Sequence, residues 1–483
     1  MKYEVLVKHN VFSVFAELRF TNTYEKTIKA VSKKSLIYVL AFLPLISRAQ
    51  DTTSTSFTLN AAIAYAEKNS PLVKNAQKDI DIFKQRQREI TAMGLPQLNV
   101  EASFNHFLNI PTTVVPASAF SPGAPDDLLV PVQFGTKYQT SAGATLSQLV
   151  FDGSYFVAIK TSKTALELQT LLEQKTTVDV KNEVVKAYYM AAIADENIKT
   201  LGTTLVQMEK LKGETEAIQK EGLIEKQDVE QLELTVQGMR NNIMRAENMK
   251  KMAYNLLKLN MGIDVRKEIT ITQSIDSLNA AFNPADYVSR EFTPAALPEY
   301  KLLQTQVKLG EYTLMNEKAK YYPSLGAFIT HSYNLPSNNL DMFDNRRWFP
   351  TTIWGLKLTV PVFASGMRQA KVQQAKMGLE KSVTTMQNAE NGLKLAAENA
   401  RLNLNFSLES LNTLKQSLEL ADRIQQKTLI KYKEGISTSL ELNQAQMQYL
   451  NAQANYINGL YTVLNSKAEM DKAYGTLANP SSK

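Results

Sequence analysis

The chain repeats one plan, and the clearest sign is a helix break that occurs twice. The stretches "KEGLIEKQDVEQLE" (Lys220–Glu233) and "KEGISTSLELNQAQ" (Lys433–Gln446) lie 213 residues apart in charge-rich sequence of helical character. They stay in register as far as Gly262 and Gly475, where "KLNMG" pairs with "DKAYG". Each half of the chain is therefore expected to contain the same elements in the same order.

Further matches upstream extend the repeat over most of the chain. "LSQLVFDG" (Leu146–Gly153) matches "LTVPVFAS" (Leu358–Ser365) at a spacing of 212 residues. "SPLVKNAQ" and "GLPQLNVEASF" match "LPEYKLLQ" and "YYPSLGAFITH" at a spacing of 227, so the first half carries a longer, proline-rich loop between Pro96 and Phe151. We divide the chain into a leader with a signal peptide, a first repeat, a linker, a second repeat and a tail: 1–49, 50–262, 263–293, 294–475 and 476–483.

Each repeat is predicted to begin with one helix and to contain a very long second helix. The first helices are Pro71–Met93 and Pro298–Lys320, because proline is tolerated in the first turn of a helix. The long helices run without proline over Ser154–Lys220 and Gly366–Glu434. At ~1.5 Å per residue, each would extend about 100 Å.

Two glycines are expected to end the long helices. Gly222 and Gly435 can adopt the left-handed conformation that many helix C-terminal caps require. The chain then turns and returns as a second, antiparallel helix. Leucines at three and four residue spacing in the second long helix indicate a seam for a partner helix: Leu404, Leu408, Leu411, Leu414 and Leu418. Each repeat is therefore predicted to contain a coiled-coil hairpin.

Two strands in each repeat are predicted between the helices. In "QLNVEASFNHF" apolar and polar residues alternate with the period of two that a half-buried strand shows. Strands of about 10 residues with one apolar face suit an outer-membrane barrel. Lipid does not tolerate open sheet edges and four strands cannot close a barrel, so copies of the chain must associate; a dimer would supply about eight strands and a trimer about twelve. Six aromatic residues are candidates for interface girdles at the strand ends: Phe104, Phe107, Tyr138, Tyr333, Trp348 and Trp354.

The N-terminal segment predicts export. Lys33 and Lys34 precede the short apolar run "SLIYVLAFLPLIS", and Ser47 and Ala49 fit the small-x-small pattern of a signal-peptide cleavage site. We expect cleavage after Ala49. Residues 1–49 carry eight Lys/Arg and three Asp/Glu, so most of the net charge of +7 belongs to the leader. No basic cluster with interleaved aromatic residues indicates nucleic-acid binding.

Together these features resemble the TolC-like outer-membrane efflux proteins, also called outer membrane factors. The resemblance covers nearly the whole mature chain. It rests on the duplication, on "VFDG" and "VFAS" at the strand-to-helix junctions, and on the turns "EGLIEKQDV" and "EGISTSLEL". It implies a mainly α fold with a membrane β-barrel. In a homotrimer, four strands per chain would form a 12-strand barrel and the coiled-coil hairpins a periplasmic tunnel, with 263–293 and the ends of the mature chain forming an equatorial band.

The resemblance also implies a function and partners. The chain would be the outer-membrane exit duct of a tripartite efflux or type I secretion system in a Gram-negative bacterium. It would passively conduct substrates received from a periplasmic adaptor (membrane fusion) protein and an inner-membrane pump. Outer-membrane lipid would surround the barrel, and no cofactor is implied.

The hairpin tips are where the resemblance implies functional residues. The adaptor contacts would be Gly222, Leu223, Gly435 and Ile436. Asp228 and Glu441, each six residues after a turn glycine, would form a candidate pore gate with Tyr432 and would favour cations. Ser437 stands where a gate arginine occurs in the best-known member, so the chain departs from the pattern there. The residues alone leave another interpretation open, in which both acids are solvated first-turn residues favoured by the helix dipole.

The sequence shows no catalytic constellation. The absence of Cys excludes thiolate metal sites and thiol catalysis. His9 lies in the leader, and His106 and His331 lie on predicted strands; no HExxH, phosphate loop or nucleophile elbow occurs. We predict no enzyme activity and no metal site. Two other classes remain: a periplasmic adaptor, which would have one hairpin and soluble β-domains, and a structural coiled-coil protein of the cell envelope, which would leave the strands unexplained.

Overall fold

The computed structural model describes residues 55–120, 122–280, 282–283, 287, 290–340 and 348–477. Their α-helices are α1 Leu59–Asn69, α2 Pro71–Ala92, α3 Gly153–Lys220, α4 Lys226–Met261, α5 Ile275–Ala280, α6 Pro298–Ala319, α7 Met367–Lys433 and α8 Ser439–Ala473. Their strands are β1 Thr55–Phe57, β2 Gln97–His106, β3 Thr112–Pro116, β4 Leu129–Gln133, β5 Tyr138–Phe151, β6 Ile269–Ile271, β7 Ser324–Ser337 and β8 Phe349–Thr359. The predicted leader and signal peptide lie outside the described residues.

The helices of the two halves coincide under constant offsets. Adding 227 to both ends of α2 gives the ends of α6. Adding 213 to α3 and α4 gives the ends of α7 and α8 to within one residue. The two long helices predicted from the absence of proline are therefore confirmed.

The two long helices begin differently. Asp152 caps α3, because its Oδ1 atom accepts hydrogen bonds from the backbone N–H groups of Ser154 at 2.7 Å and Tyr155 at 3.1 Å. The equivalent start of α7 has Gly366 in the left-handed conformation, with φ of 81°, and no side-chain cap. A side-chain cap of the first kind typically contributes about 1 kcal/mol to helix stability.

Four of the strands form one antiparallel sheet in the order β2-β5-β7-β8. Leu98 lies opposite Leu146, and Ile329 lies opposite Trp354, so apolar residues of all four strands share one face. That face is exposed in the single chain, where Trp354 retains 76% of its accessible surface. The alternation predicted for the strands is thus confirmed, except that β8 ends at Thr359, two residues before Pro361, which has no N–H to donate to a ladder.

The aromatic residues lie at both ends of this sheet. Five of the six predicted girdle residues lie at or near the ends farthest from the helices. Trp354 does not: it lies in the middle of β8, opposite Ile329, so its placement at a strand end was wrong. The sequence prediction also missed exposed aromatic residues where the strands meet the helices, namely Phe151, Tyr322 and Phe363.

The helices form two four-membered rows that share α3 and α7. Next to the sheet the neighbours are α2, α3, α6 and α7, and farther away they are α4, α3, α8 and α7. Leu404 of α7 is buried against Val463 and Met470 of α8, and Leu408 and Leu411 pack on the same cluster, as the leucine spacing predicted. Because α7 lies at one end of both rows and α2 and α4 at the other, each row has two open flanks.

The linker lies beside both ends of the described chain. Strand β6 pairs in parallel with β1, and the Tyr188 hydroxyl of α3 donates to the Phe57 carbonyl oxygen at 3.0 Å. Lys181 Nζ donates to the Leu477 carbonyl oxygen at 3.1 Å and pairs with Glu67. These contacts hold β1, β6 and the chain end against the middle of α3.

Candidate functional site

Each hairpin tip is built by one glycine that ends a long helix. Gly222 and Gly435 both have φ of 73°, the left-handed conformation that L-residues with a Cβ atom avoid. The N–H of Leu223 donates to the Ile218 carbonyl oxygen at 3.3 Å, which closes the last turn of α3. The N–H of Ile436 closes α7 in the same way. The prediction that these glycines cap the helices is confirmed.

Two apolar side chains project next to the turn glycines. Leu223 is 75% exposed and Ile436 is 70% exposed. Their exposure gives each tip a small hydrophobic surface at the same position of the repeat. Their assignment as adaptor contacts stays a prediction.

Glu441 is occupied by the cap of its own helix. Its backbone N–H donates to Thr438 Oγ1 at 3.2 Å, and its Oε2 atom accepts from the Thr438 N–H at 3.1 Å, which is a capping box. Hydrogen bonds from the Ser437 hydroxyl and the Thr438 N–H hold the pKa of the Glu441 carboxyl below its ordinary value. The Ser437 hydroxyl, which donates to Glu441 Oε2, thus serves this cap.

Asp228 and Tyr432 face the same cavity between the two hairpins. The cavity has a volume of 320 Å³ and is also lined by Leu211, Thr215 and Ile218. Burial raises the pKa of the Tyr432 phenol, a hydrogen bond with Thr215 opposes this shift, and the charge of Asp228 adds to it. The structure therefore brings together two of the three predicted gate residues, whereas Glu441 does not line the cavity.

Polar contacts tie the two hairpins together near the tips, and sequence reasoning missed them. Lys433 Nζ lies 3.2 Å from Glu214 Oε2. The Ser439 hydroxyl donates to Gln231 Oε1 at 3.0 Å. The repeat predicted both hairpins, but no signal in a single sequence shows which faces of two hairpins meet.

The described residues contain no other arrangement that suggests chemistry. In these ranges no group of three or more His, Asp or Glu side chains is placed to hold a metal ion. None of the described helices is both long and apolar enough to cross a membrane. His106 stacks on Tyr138, and His331 Nδ1 contacts Thr352 Oγ1 at 2.7 Å, so both histidines pack within the sheet.

Two solved structures, one of a protein that forms a transmembrane channel and one of an outer membrane protein, share this fold. CusC aligns with a TM-score of 0.67 at 16% identity, covering 86% of this chain and 91% of CusC. The outer membrane protein VceC of Vibrio cholerae aligns with a TM-score of 0.64 at 16% identity, covering 86% of this chain and 96% of VceC. The fold, long helical hairpins joined to a four-stranded sheet, is therefore shared with CusC and VceC.

Sequence comparison finds similarity to one protein family. Residues 301–476 match the model of the family described as outer membrane efflux protein. Outer membrane protein TolC of Salmonella enteritidis is 23% identical over 461 residues, covering 92% of this chain and 87% of TolC. The chain is therefore similar to TolC and, in its second half, to the outer membrane efflux protein family.

Proposed function

We propose that this chain forms an outer-membrane exit duct of an efflux system, located in the outer membrane of a Gram-negative bacterium and extending into the periplasm. The observation that carries the proposal is the four-stranded sheet with one exposed apolar face and two open edges. Val100, Leu356 and Leu358 on that face are 79%, 64% and 63% exposed in the single chain. A face of this kind is stable in lipid, where closed β-barrels satisfy every backbone hydrogen bond.

The duct would be a homotrimer. Four strands per chain are too few to close a barrel, and three chains would supply about twelve. Below the sheet, each of the two helix rows also has an open flank at either end, where another copy would pack. Physical closure allows two or three copies, and we prefer three because the resemblance to TolC-like proteins implies a homotrimer.

The partners would meet the duct at the hairpin tips. Exposed Leu223 and Ile436 offer matched hydrophobic contacts to a periplasmic adaptor, which would connect the duct to an inner-membrane pump. The β1–β6 pair and the Lys181 contact to Leu477 support an equatorial band made from 263–293 and the ends of the mature chain. The assignment of 50–262 and 294–475 as two repeats agrees with the constant helix offsets.

Extraction and conductance test the proposed function. Expressed in a Gram-negative host, the protein should fractionate with the outer membrane and be released by detergent but not by high salt. After purification it should form ion-conducting channels in planar bilayers. A protein that is soluble without detergent and does not conduct would instead support the adaptor or coiled-coil class.

Replacing the acid of the tip cavity should reduce cation selectivity. Three copies of Asp228 around a narrow passage would focus a negative field that favours cations over anions. Asp228→Asn should therefore lower the cation-to-anion permeability ratio, measured as the reversal potential in a salt gradient. Glu441→Gln is the matched control, and we expect a smaller change because the Glu441 carboxylate is engaged in its helix cap. Unchanged selectivity in the double variant would show that neither acid lines the pore.

A further inference from the structure

An apolar groove lies where three of the long helices meet, well away from the hairpin tips. Helices α4, α3 and α8 are neighbours there, and a cavity of 360 Å³ lies between them. We propose that this groove binds neutral aromatic small molecules on the inner face of the duct. This inference rests on the proposed function, because it names a class of molecule that the duct would hold in passage.

Three methionines give the groove its character. Met190 of α3 and Met249 and Met252 of α4 line it, and they are 38%, 63% and 70% exposed. A methionine side chain is unbranched and polarizable, so it adapts to guests of irregular shape and makes favourable contacts with aromatic rings. Most of the remaining lining is alanine and isoleucine. The surface therefore suits an apolar molecule that carries an aromatic ring.

The polar groups of the groove are neutral. None of the described side chains that line it is charged, and its polar members are the amides of Asn197 and Asn458 and the phenol of Tyr461. Small-molecule sites typically combine an apolar lining with a few such hydrogen-bonding groups. A strongly charged ligand would lose its hydration in the groove without gaining a counter-charge. The lining thus favours a neutral ligand with one or two hydrogen-bonding groups.

The nearest charges in the sequence are used elsewhere. Asp195 follows the α3 part of the lining, and Lys250 lies between the two methionines of α4. Their side chains pair with each other, with Lys250 Nζ 2.7 Å from Asp195 Oδ1. The Tyr254 hydroxyl also donates to Asp195 Oδ2 at 2.6 Å. These contacts hold both charges out of the groove.

The size of the groove limits the ligand. Sites for small molecules commonly have volumes of about 300–1,000 Å³. At 360 Å³ the groove lies near the lower end of this range. A bicyclic aromatic compound such as 2-naphthol, with one hydroxyl group, is therefore a suitable probe.

Three tyrosines show which face of the helices carries the linker. The Tyr188 hydroxyl of α3 donates to the Phe57 carbonyl oxygen of β1. Tyr254 of α4 and Tyr456 of α8 pack on the core cluster that contains Phe57 and Ile269 of β6. All three tyrosines therefore point toward the β1–β6 pair.

The groove lies on the opposite face of the same helices. On each helix a groove residue lies two positions from the tyrosine that points to β1 and β6: Met190, Met252 and Asn458. Two residues rotate about 200° around an α-helix of ~3.6 residues per turn. If β1 and β6 belong to a band around the tunnel, as proposed above, the groove faces the passage. A trimer would then present three such grooves to a molecule in transit.

Cysteine accessibility tests the position of the groove, since the chain has no Cys of its own. In planar bilayers, Met252→Cys treated with a positively charged methanethiosulfonate reagent should show a stepwise loss of single-channel conductance. Glu247→Cys is the matched control, because Glu247 is exposed and lies seven residues before Tyr254, about two turns away on the same face. It should react, as mass spectrometry would show, without a loss of conductance.

Protection by 2-naphthol tests the ligand class. Only the empty groove reacts, so modification of Met252→Cys should slow about tenfold once 2-naphthol exceeds its dissociation constant tenfold. Modification of Glu247→Cys should not slow. In the Met252→Cys background, Met249→Leu should keep the protection because it conserves apolar volume, whereas Met249→Lys should remove it. Equal protection in the leucine and lysine variants would overturn the assignment of the site.

The outcomes separate this inference from the proposed function. Loss of conductance at Glu247→Cys instead of Met252→Cys would place the groove outside the passage and overturn the inference, while the duct would stand. A groove that 2-naphthol does not protect would overturn the ligand class in a protein that still conducts. Absence of conductance in the unmodified protein would contradict the proposed function, and protection measured by mass spectrometry on the purified protein would still test the binding site.

Discussion

Gly262→Ala is expected to destabilise the chain far more than the same change at Gly222 or Gly435. Gly262 ends α4 with φ of 74°, and an added Cβ would lie 2.6 Å from the Asn69 carbonyl oxygen and 3.0 Å from Pro71 Cδ. The left-handed conformation costs an L-residue about 1–2 kcal/mol, and overpacking against backbone typically adds about 1–3 kcal/mol. The free energy of unfolding should therefore fall by about 2–5 kcal/mol.

The other two glycines supply matched controls for the steric part of this effect. Gly222 and Gly435 have φ of 73°, but an added Cβ at either position has no neighbour within 4 Å. Thermal unfolding followed by circular dichroism should rank Gly262→Ala well below both controls. Equal losses at the three positions would show that the contact between the end of α4 and the α1–α2 turn does not restrain the fold.

Gly222→Val and Gly435→Val are expected to abolish most efflux while leaving membrane insertion intact. A β-branched residue resists positive φ, so each change should break the last turn of its helix and displace Leu223 or Ile436. The sheet lies at the opposite end of these helices, so barrel formation should not change. Antibiotic susceptibility of cells would report efflux, and the amount of protein in the outer-membrane fraction would report insertion.

Gly213→Val is the matched control for this prediction. Gly213 lies on α3 near the tip, has no neighbour within 4 Å of an added Cβ, and lacks the positive φ of Gly222. Valine should cost little there. If the tip variants and the control export equally well, the tips do not bind the adaptor.

The elements set by local sequence could be predicted, whereas those set by distant contacts could not. The absence of proline fixed the long helices, and Gly222 and Gly435 marked their ends because positive φ is a property of single residues. Helix α1 was missed, since its eleven residues are stabilised by packing of Ala62 and Ala66 on the rest of the core. Strand β1 was missed for a similar reason, because its partner β6 is far away in sequence.

At the candidate site, the sequence could not predict that Glu441 and Asp228 lie in different surroundings. Both acids follow their glycines at the same spacing, so the sequence treats them alike. The structure separates them because Thr438 and Ser437 engage Glu441, whereas Glu225, the N-cap residue of α4, makes no side-chain cap bond. The β3–β4 hairpin in the proline-rich loop was also missed, because strands of five residues are too short to show a clear alternation of apolar and polar residues.

The two hairpins carry different contacts at equivalent positions, and this difference has a mechanical consequence. Lys212 pairs with Glu233 in the first hairpin, and Gln425 contacts Gln446 at the position 213 residues later in the second. Separating α3 from α4 breaks the ion pair of Lys212 and Glu233, while separating α7 from α8 breaks, at the equivalent place, the buried amide contact of Gln425 and Gln446. Gln446 Nε2 has no hydrogen-bond partner among the described residues, so access of water would relieve part of that cost. On this contact, we expect the α7–α8 hairpin to be the more compliant of the two. Around a ring of three chains, stiff and compliant hairpins would alternate, and the compliant set would determine how wide the tip dilates.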